Sequence, residues 1–176
     1  MNQSLAQKYP LANQMTSYLA ATAFGCSLII ISSWIKIPIY PIPFTLQTFA
    51  ICLLALTQSP KVAFSSAICY LICGTIGLPV ISTQLSDFWW MGRSAGYLIA
   101  FPIAAYLISR LAQTWHPLLS VLCGELVIYT LGFLGLAYFV DAKTAFVSGV
   151  LIFMPSCVFK CLLAVGIASL WKKVRP

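Results

Sequence analysis

The chain has 176 residues, of which 61% are hydrophobic and 7% charged, with a mean hydropathy of +0.95; this excludes a soluble globular domain. Ten basic residues against three acidic ones give a formal net charge of +7, too sparse to make a nucleic-acid surface. A hydrocarbon core about 30 Å thick takes roughly 20 residues per helix, so the length allows about six spans in one compact all-α membrane domain, residues 1–176.

The chain opens with MNQSLAQKYPLANQMTS, a polar segment without a basic n-region, a short apolar run or a small-residue cleavage site, so no signal peptide is expected. A first span is predicted over 18–34, ending in KIPIYPIPF. Prolines at 38, 41 and 43 remove backbone donors and force extended geometry, so this stretch reads as a structured loop. The second span is predicted over 45–56 and stops at TQSPK; the third covers 62–76 and breaks at Gly77 and Pro79. A polar loop, STQLSDFWWMGRSAG, leads to the fourth span over 97–111. His116 and Pro117 open the fifth, expected over 118–140. The final stretch holds Pro155, which suits the first turn of a helix but disrupts its interior. It therefore divides into a short interfacial or re-entrant piece at 145–153 and a sixth span over 155–171.

Six spans put both termini on one side of the membrane. Lys8, Lys61, Arg110, Lys172, Lys173 and Arg175 fall on that side, against Lys36, Arg93 and Lys143 on the other, so the termini are expected to be cytoplasmic.

Lys160, in the stretch MPSCVFK, is placed roughly 7 Å beyond a helix start at Pro155. A lysine at the centre of a spanning helix costs about 2.5 to 3.5 kcal/mol on insertion scales, so it faces a cavity or a partner unless its stem reaches the interface. The acidic residues are Asp87, Glu125 and Asp141, which leaves an anionic ligand as a candidate counter-charge. Glu125, about six residues into the fifth span, is expected to point toward headgroups or to pair with a neighbouring helix or a coupling protein. Trp89, Trp90, Arg93 and Tyr97 form a cluster that reads equally as an interfacial aromatic belt and as a wall for a ring compound with a carboxylate tail. Ala21 and Gly25, with Ala20 beside them, make a small-residue face on the first helix that would admit another helix, from this chain or from a partner.

The seven cysteines are scattered in apolar segments, and with a single histidine, His116, they show no zinc or haem pattern. They are read as small buried hydrophobes. No G-x-x-x-x-G-K-[ST], G-x-S-x-G or H-E-x-x-H occurs, so neither an ATPase of the first kind nor a hydrolase of the others is expected, and no cofactor or metal is called for.

Four segments in order resemble the BioY family, the biotin-specific substrate-binding (S) components of energy-coupling-factor transporters. PIPFTLQTFAICL (Pro41 to Leu53) is similar to the family's proline-rich loop running into T-L-Q, and YLICGTIGLPV (Tyr70 to Val80) to its Y-L-L-L-G-x-x-G-L-P-V. MGRSAGYLIAF (Met91 to Phe101) resembles the G-P-T-x-G-Y-L stretch, with Arg93 for proline and Ser94 for threonine. FMPSCVFK (Phe153 to Lys160) resembles F-x-P-G-D-x-x-K, with Ser156 and Cys157 for glycine and aspartate while Lys160 is kept. At this last motif a thiol faces the lysine where the family has a carboxylate, and a thiol is a poor acceptor for ureido N–H groups.

The resemblance implies a six-helix S component without its own motor, driven by a transmembrane coupling subunit and two ABC-type ATPases, with biotin or a near relative as ligand. It further implies an outward pocket bounded by Thr45 and Gln47 at the rim, Tyr97 and the tryptophans (Trp90 among them) along the wall, with Arg93 near them, and Cys157 and Lys160 at the side. Ala21 and Gly25 would form the docking face for the coupling subunit. A membrane scaffold with no small ligand is the rival reading. An intramembrane enzyme using Cys157 as nucleophile lacks a base, because His116 belongs to the opposite face of the membrane.

Overall fold

The computed structural model describes residues 10–81 and 88–174; Lys8, Asp87 and Arg175 lie outside them. The elements in order are α1 (Pro10–Trp34), β1 (Lys36–Ile37), β2 (Phe44–Thr45), α2 (Gln47–Thr57), α3 (Pro60–Thr75), a 3-10 turn (Trp89–Met91), α4 (Ala95–Leu111), α5 (Pro117–Ala137), α6 (Ala142–Gly149), a second 3-10 turn (Leu151–Phe153) and α7 (Met154–Val174). Prolines open α3 and α5, where the missing N–H has no intrahelical partner to lose. His116 Nδ1 accepts from the Leu118 amide at 3.3 Å to cap α5, and Asp141 Oδ1 accepts from the Thr144 amide at 3.0 Å to cap α6.

The proline-rich loop is folded as expected of a structured connection. β1 and β2 pair antiparallel, Lys36 opposite Thr45 and Ile37 opposite Phe44, and the Tyr40–Pro41 peptide is cis. The final stretch divides as α6, a 3-10 turn and α7, with α6 beginning three residues before the expected interfacial piece. The second helix keeps nearly the expected bounds, 47–57 against 45–56, but it is too short for a span. α2 has 11 residues, about 16 Å at 1.5 Å each, and cannot cross a bilayer core by itself. Three segments, 13–34, 117–137 and 142–174, are long and apolar enough to span, whereas α2 and α4 are shorter.

The packing follows membrane logic. Large apolar side chains such as Phe24, Leu126 and Leu170 face outward, while Ala63, Ala67, Ala100, Ala104, Ala105 and Ala164 are fully buried between helices. In lipid there is no hydrophobic drive between helices, so close approach through small residues supplies the contact. The most extensive helix pair is α4 with α5, where any side chain at Gly96 would run into the backbone of Leu131 and Gly132. Buried hydroxyls bond back to their own helix, as Ser32 does to the Leu28 carbonyl at 2.7 Å and Ser66 to that of Val62 at 2.8 Å, which keeps them satisfied without water.

Candidate functional site

A cavity with about 560 Å³ of empty space, partly open to solvent, lies at the end of the bundle that carries the β1–β2 hairpin. The loop before α2 contributes Ile42, Pro43 and Thr45, and α2 contributes Gln47 and Thr48. Ser94, Tyr97, Leu98 and Phe101 come from the start of α4, Ile128 and Tyr129 from α5, and Phe153 and Lys160 from the α7 side.

Lys160 sits six residues into α7, about 9 Å along its axis, and only 6% of its surface is exposed. Its ammonium donates to the Thr45 carbonyl at 2.7 Å and to Thr48 Oγ1 at 3.2 Å. It also lies 4.0 Å from the centroid of the Phe44 ring, a cation–π contact in a dry setting. Phe44 in turn stacks on Phe153 with centroids 6.0 Å apart. The side chain therefore turns inward to the cavity and does not snorkel to the interface.

A second polar chain runs behind the rim. Thr45 Oγ1 donates to Gln47 Oε1 at 2.9 Å, the Gln47 amide donates to the Tyr70 hydroxyl, and that hydroxyl donates to the Val80 carbonyl at 3.3 Å. Gln47 is 4% exposed, so its orientation is fixed before any ligand arrives. Tyr97 donates to the Gly149 carbonyl at 2.8 Å, tying α4 to the end of α6 while its ring faces the cavity.

Of the residues expected at the site, Thr45, Gln47, Tyr97 and Lys160 converge on the cavity. Trp90 and Arg93 do not line it, and neither does Cys157. The tryptophans leave the wall because the 3-10 turn holds them elsewhere: Trp89 Nε1 donates to Thr75 Oγ1 at 3.0 Å, and Trp90 packs on Phe88 with centroids 5.1 Å apart. Arg93 lies over the Tyr40 ring at 5.1 Å, one residue from Ser94 at the cavity mouth. Cys157 is buried, with its Sγ 3.8 Å from that of Cys161, on the core side of α7.

Two further expectations change. Glu125 is 2% exposed and accepts from the Cys52 thiol at 3.3 Å, so it points into the bundle and not toward headgroups. Gly25 is buried against Ser66 and Leu54 of this chain, so the small-residue face is occupied internally at that position; Ala21 is half-buried and Ala20 exposed. Thr48, Ser94, Phe101, Tyr129 and Phe153 are lining residues that the sequence reading did not single out. Thr48 follows Gln47 directly in TLQT, one helical residue on from a residue already named, and was legible there.

The BioY family model matches residues 1–176. A protein of Pyrococcus horikoshii named a probable biotin transporter BioY is 37% identical over 152 residues, covering 86% of this chain and 93% of that protein. The biotin transporter BioY of Thermotoga maritima is 33% identical over 156 residues, covering 85% and 92%. Among solved structures, the S-component for biotin from an ECF-type ABC transporter is similar with a TM-score of 0.81 and 28% identity, over 92% of this chain and 93% of that one.

Proposed function

The chain belongs to the BioY family, and on that premise we propose that it is the membrane-embedded component that captures biotin, or a close analogue, for uptake by an energy-coupling-factor transporter. The observation that carries this reading is a desolvated ammonium, Lys160, aimed into a cavity where the polar groups of Thr45, Gln47 and Tyr97 are also held in place by bonds within the chain. An apolar pocket with a small number of fixed polar groups suits a molecule that joins a fused ring to an aliphatic acid. The ammonium Nζ has three donors, and Thr45 and Thr48 take two of them; the third is the one offered to the ligand.

In this reading Lys160, Thr45 and Gln47 meet the polar end of the ligand, Tyr97 covers the ring, and Arg93 at the mouth attracts the other charged or polar end. The protein carries no ATPase motif of its own, so hydrolysis belongs to ABC-type ATPases joined through a transmembrane coupling subunit. Lys61, Arg110, Lys172 and Lys173 lie toward one end of the bundle and Lys36, Arg93 and Lys143 toward the other, a bias that supports cytoplasmic termini in a prokaryotic cell with the cavity outside.

Binding of labelled biotin to the purified full chain tests the proposal. Saturable one-to-one binding is expected, displaced by unlabelled biotin; absence of saturable binding to chain of verified fold would overturn it in favour of a scaffold. Competition by biotin amide and by analogues altered in the ureido ring identifies the end that Lys160 holds.

A further inference from the structure

Beneath the cavity floor, three thiols and a carboxylate meet at the junction of α2, α5 and α7. Cys157 and Cys161 are four residues apart on α7 and so share a helix face; their sulfurs are 3.8 Å apart. Cys52 of α2 places its sulfur 3.3 Å from Glu125 Oε1 of α5 and lies beside Cys161. The Glu125 carboxylate and the sulfurs of Cys157 and Cys161 all fall within 4.8 Å of one another. All four residues are buried, and Glu125 Oε2 is buried without a hydrogen-bond partner.

We propose that Cys52, Glu125, Cys157 and Cys161 bind one thiophilic divalent cation, zinc or a metal of like chemistry, which ties α2, α5 and α7 together below the ligand cavity. A tetrahedral zinc ion with zinc–sulfur bonds of about 2.3 Å sets sulfur–sulfur edges of about 3.8 Å and sulfur–oxygen edges of about 3.5 Å. The Cys157–Cys161 sulfur edge of 3.8 Å and the Cys52–Glu125 sulfur–oxygen edge of 3.3 Å already approximate them. The Oε2 acceptor is buried without a hydrogen-bond partner, and a cation at the centre of the four groups satisfies the carboxylate. Coordination displaces the thiol protons, so three thiolates and a carboxylate on a dication sum to two negative charges. Lys160, which stands on the same helix as Cys157 and Cys161, offsets one of them.

A second thiol cluster, Cys26, Cys69 and Cys73, also falls within 4.8 Å, but it has no carboxylate and Cys69 and Cys73 are only partly buried. It serves as the internal control. Purified full chain, stripped with chelator in detergent, is titrated with cobalt(II) and then with zinc(II). One equivalent of cobalt per chain is expected, giving sulfur-to-cobalt charge-transfer bands and tetrahedral d–d bands that zinc abolishes. Cys157→Ser combined with Cys161→Ser should lose the bands, Glu125→Gln should weaken cobalt binding at least tenfold, and replacing Cys26, Cys69 and Cys73 with serine should leave both unchanged. Absence of sulfur–cobalt bands from the native chain overturns the proposal, and this result depends on no variant's folding. Bands that survive loss of Cys157 and Cys161, vanish with the control cluster, or ignore Glu125→Gln overturn the assignment equally. Biotin binding is not part of the readout, so the site stands or falls apart from the transport reading.

Discussion

Lys160→Met is the sharpest test of the proposed capture mechanism. Methionine keeps an unbranched chain of similar length against the Phe44 ring while removing the charge and all three donors. In the unliganded protein two donors are engaged, by the Thr45 carbonyl at 2.7 Å and Thr48 Oγ1 at 3.2 Å, so the ligand gains one charge-assisted bond. Such a bond contributes about 1.5 to 3 kcal/mol, which converts to a loss of roughly one to two decades in affinity. The substitution also leaves the Thr45 carbonyl without its donor, so thermal stability should fall as well, and the two effects need separating. Thr48→Val separates them: it removes one internal partner of the ammonium but no group assigned to the ligand, and should change affinity much less than Lys160→Met does. Labelled-biotin binding at equilibrium, with thermal unfolding followed on the same preparations, provides both quantities. Native affinity in folded Lys160→Met would remove the lysine from the site and with it the argument from a desolvated ammonium.

Other outcomes follow from neighbouring contacts. A methyl group at Gly132 would run into the Tyr97 ring, so Gly132→Ala should break the Tyr97–Gly149 bond or drive the ring into the cavity; overpacking of this kind costs about 1 to 3 kcal/mol, read as a lower unfolding midpoint together with weaker biotin binding. Gly25→Leu should destabilise the isolated chain by a similar amount, about 1 to 3 kcal/mol, because Ser66 and Leu54 occupy the space; loss of co-purification with coupling subunits in a variant of undiminished stability would instead restore Gly25 to a docking role. Arg93→Ala should weaken biotin more than it weakens an uncharged biotin amide if the guanidinium attracts the carboxylate, and equal losses for both ligands would remove that role. The hydrogen bonds from Thr144 hold the Asp141 carboxyl below its ordinary range, so the cap on α6 is complete above about pH 4 and is lost as pH falls further. Asp141→Asn, which caps without titrating, should flatten that acid transition in circular dichroism, and an unchanged transition would assign it to other groups.

Much of the architecture was legible in the sequence, because a bilayer imposes it. A helix must satisfy its own backbone in lipid, and prolines and glycines between apolar runs mark where it stops; hence the breaks at KIPIYPIPF, TQSPK and GLP, and the division of the last stretch near Pro155, could be read directly. Lys160 was conspicuous because a charge within a spanning helix requires compensation, and Thr45, Gln47 and Tyr97 lay in segments resembling a known family. Which way a side chain faces within an all-apolar helix was not legible, since every face carries similar residues. Tertiary packing alone turned Lys160 onto the Thr45 carbonyl and Thr48, drew Glu125 into the core beside Cys52, and held Trp89 back on Thr75. It also buried Gly25 within the chain and gathered cysteines distant in sequence into two clusters. Composition and chain breaks decide that helices cross the membrane and roughly where; the rotation of each helix about its axis is set by packing against its neighbours, and that rotation decides which polar groups meet.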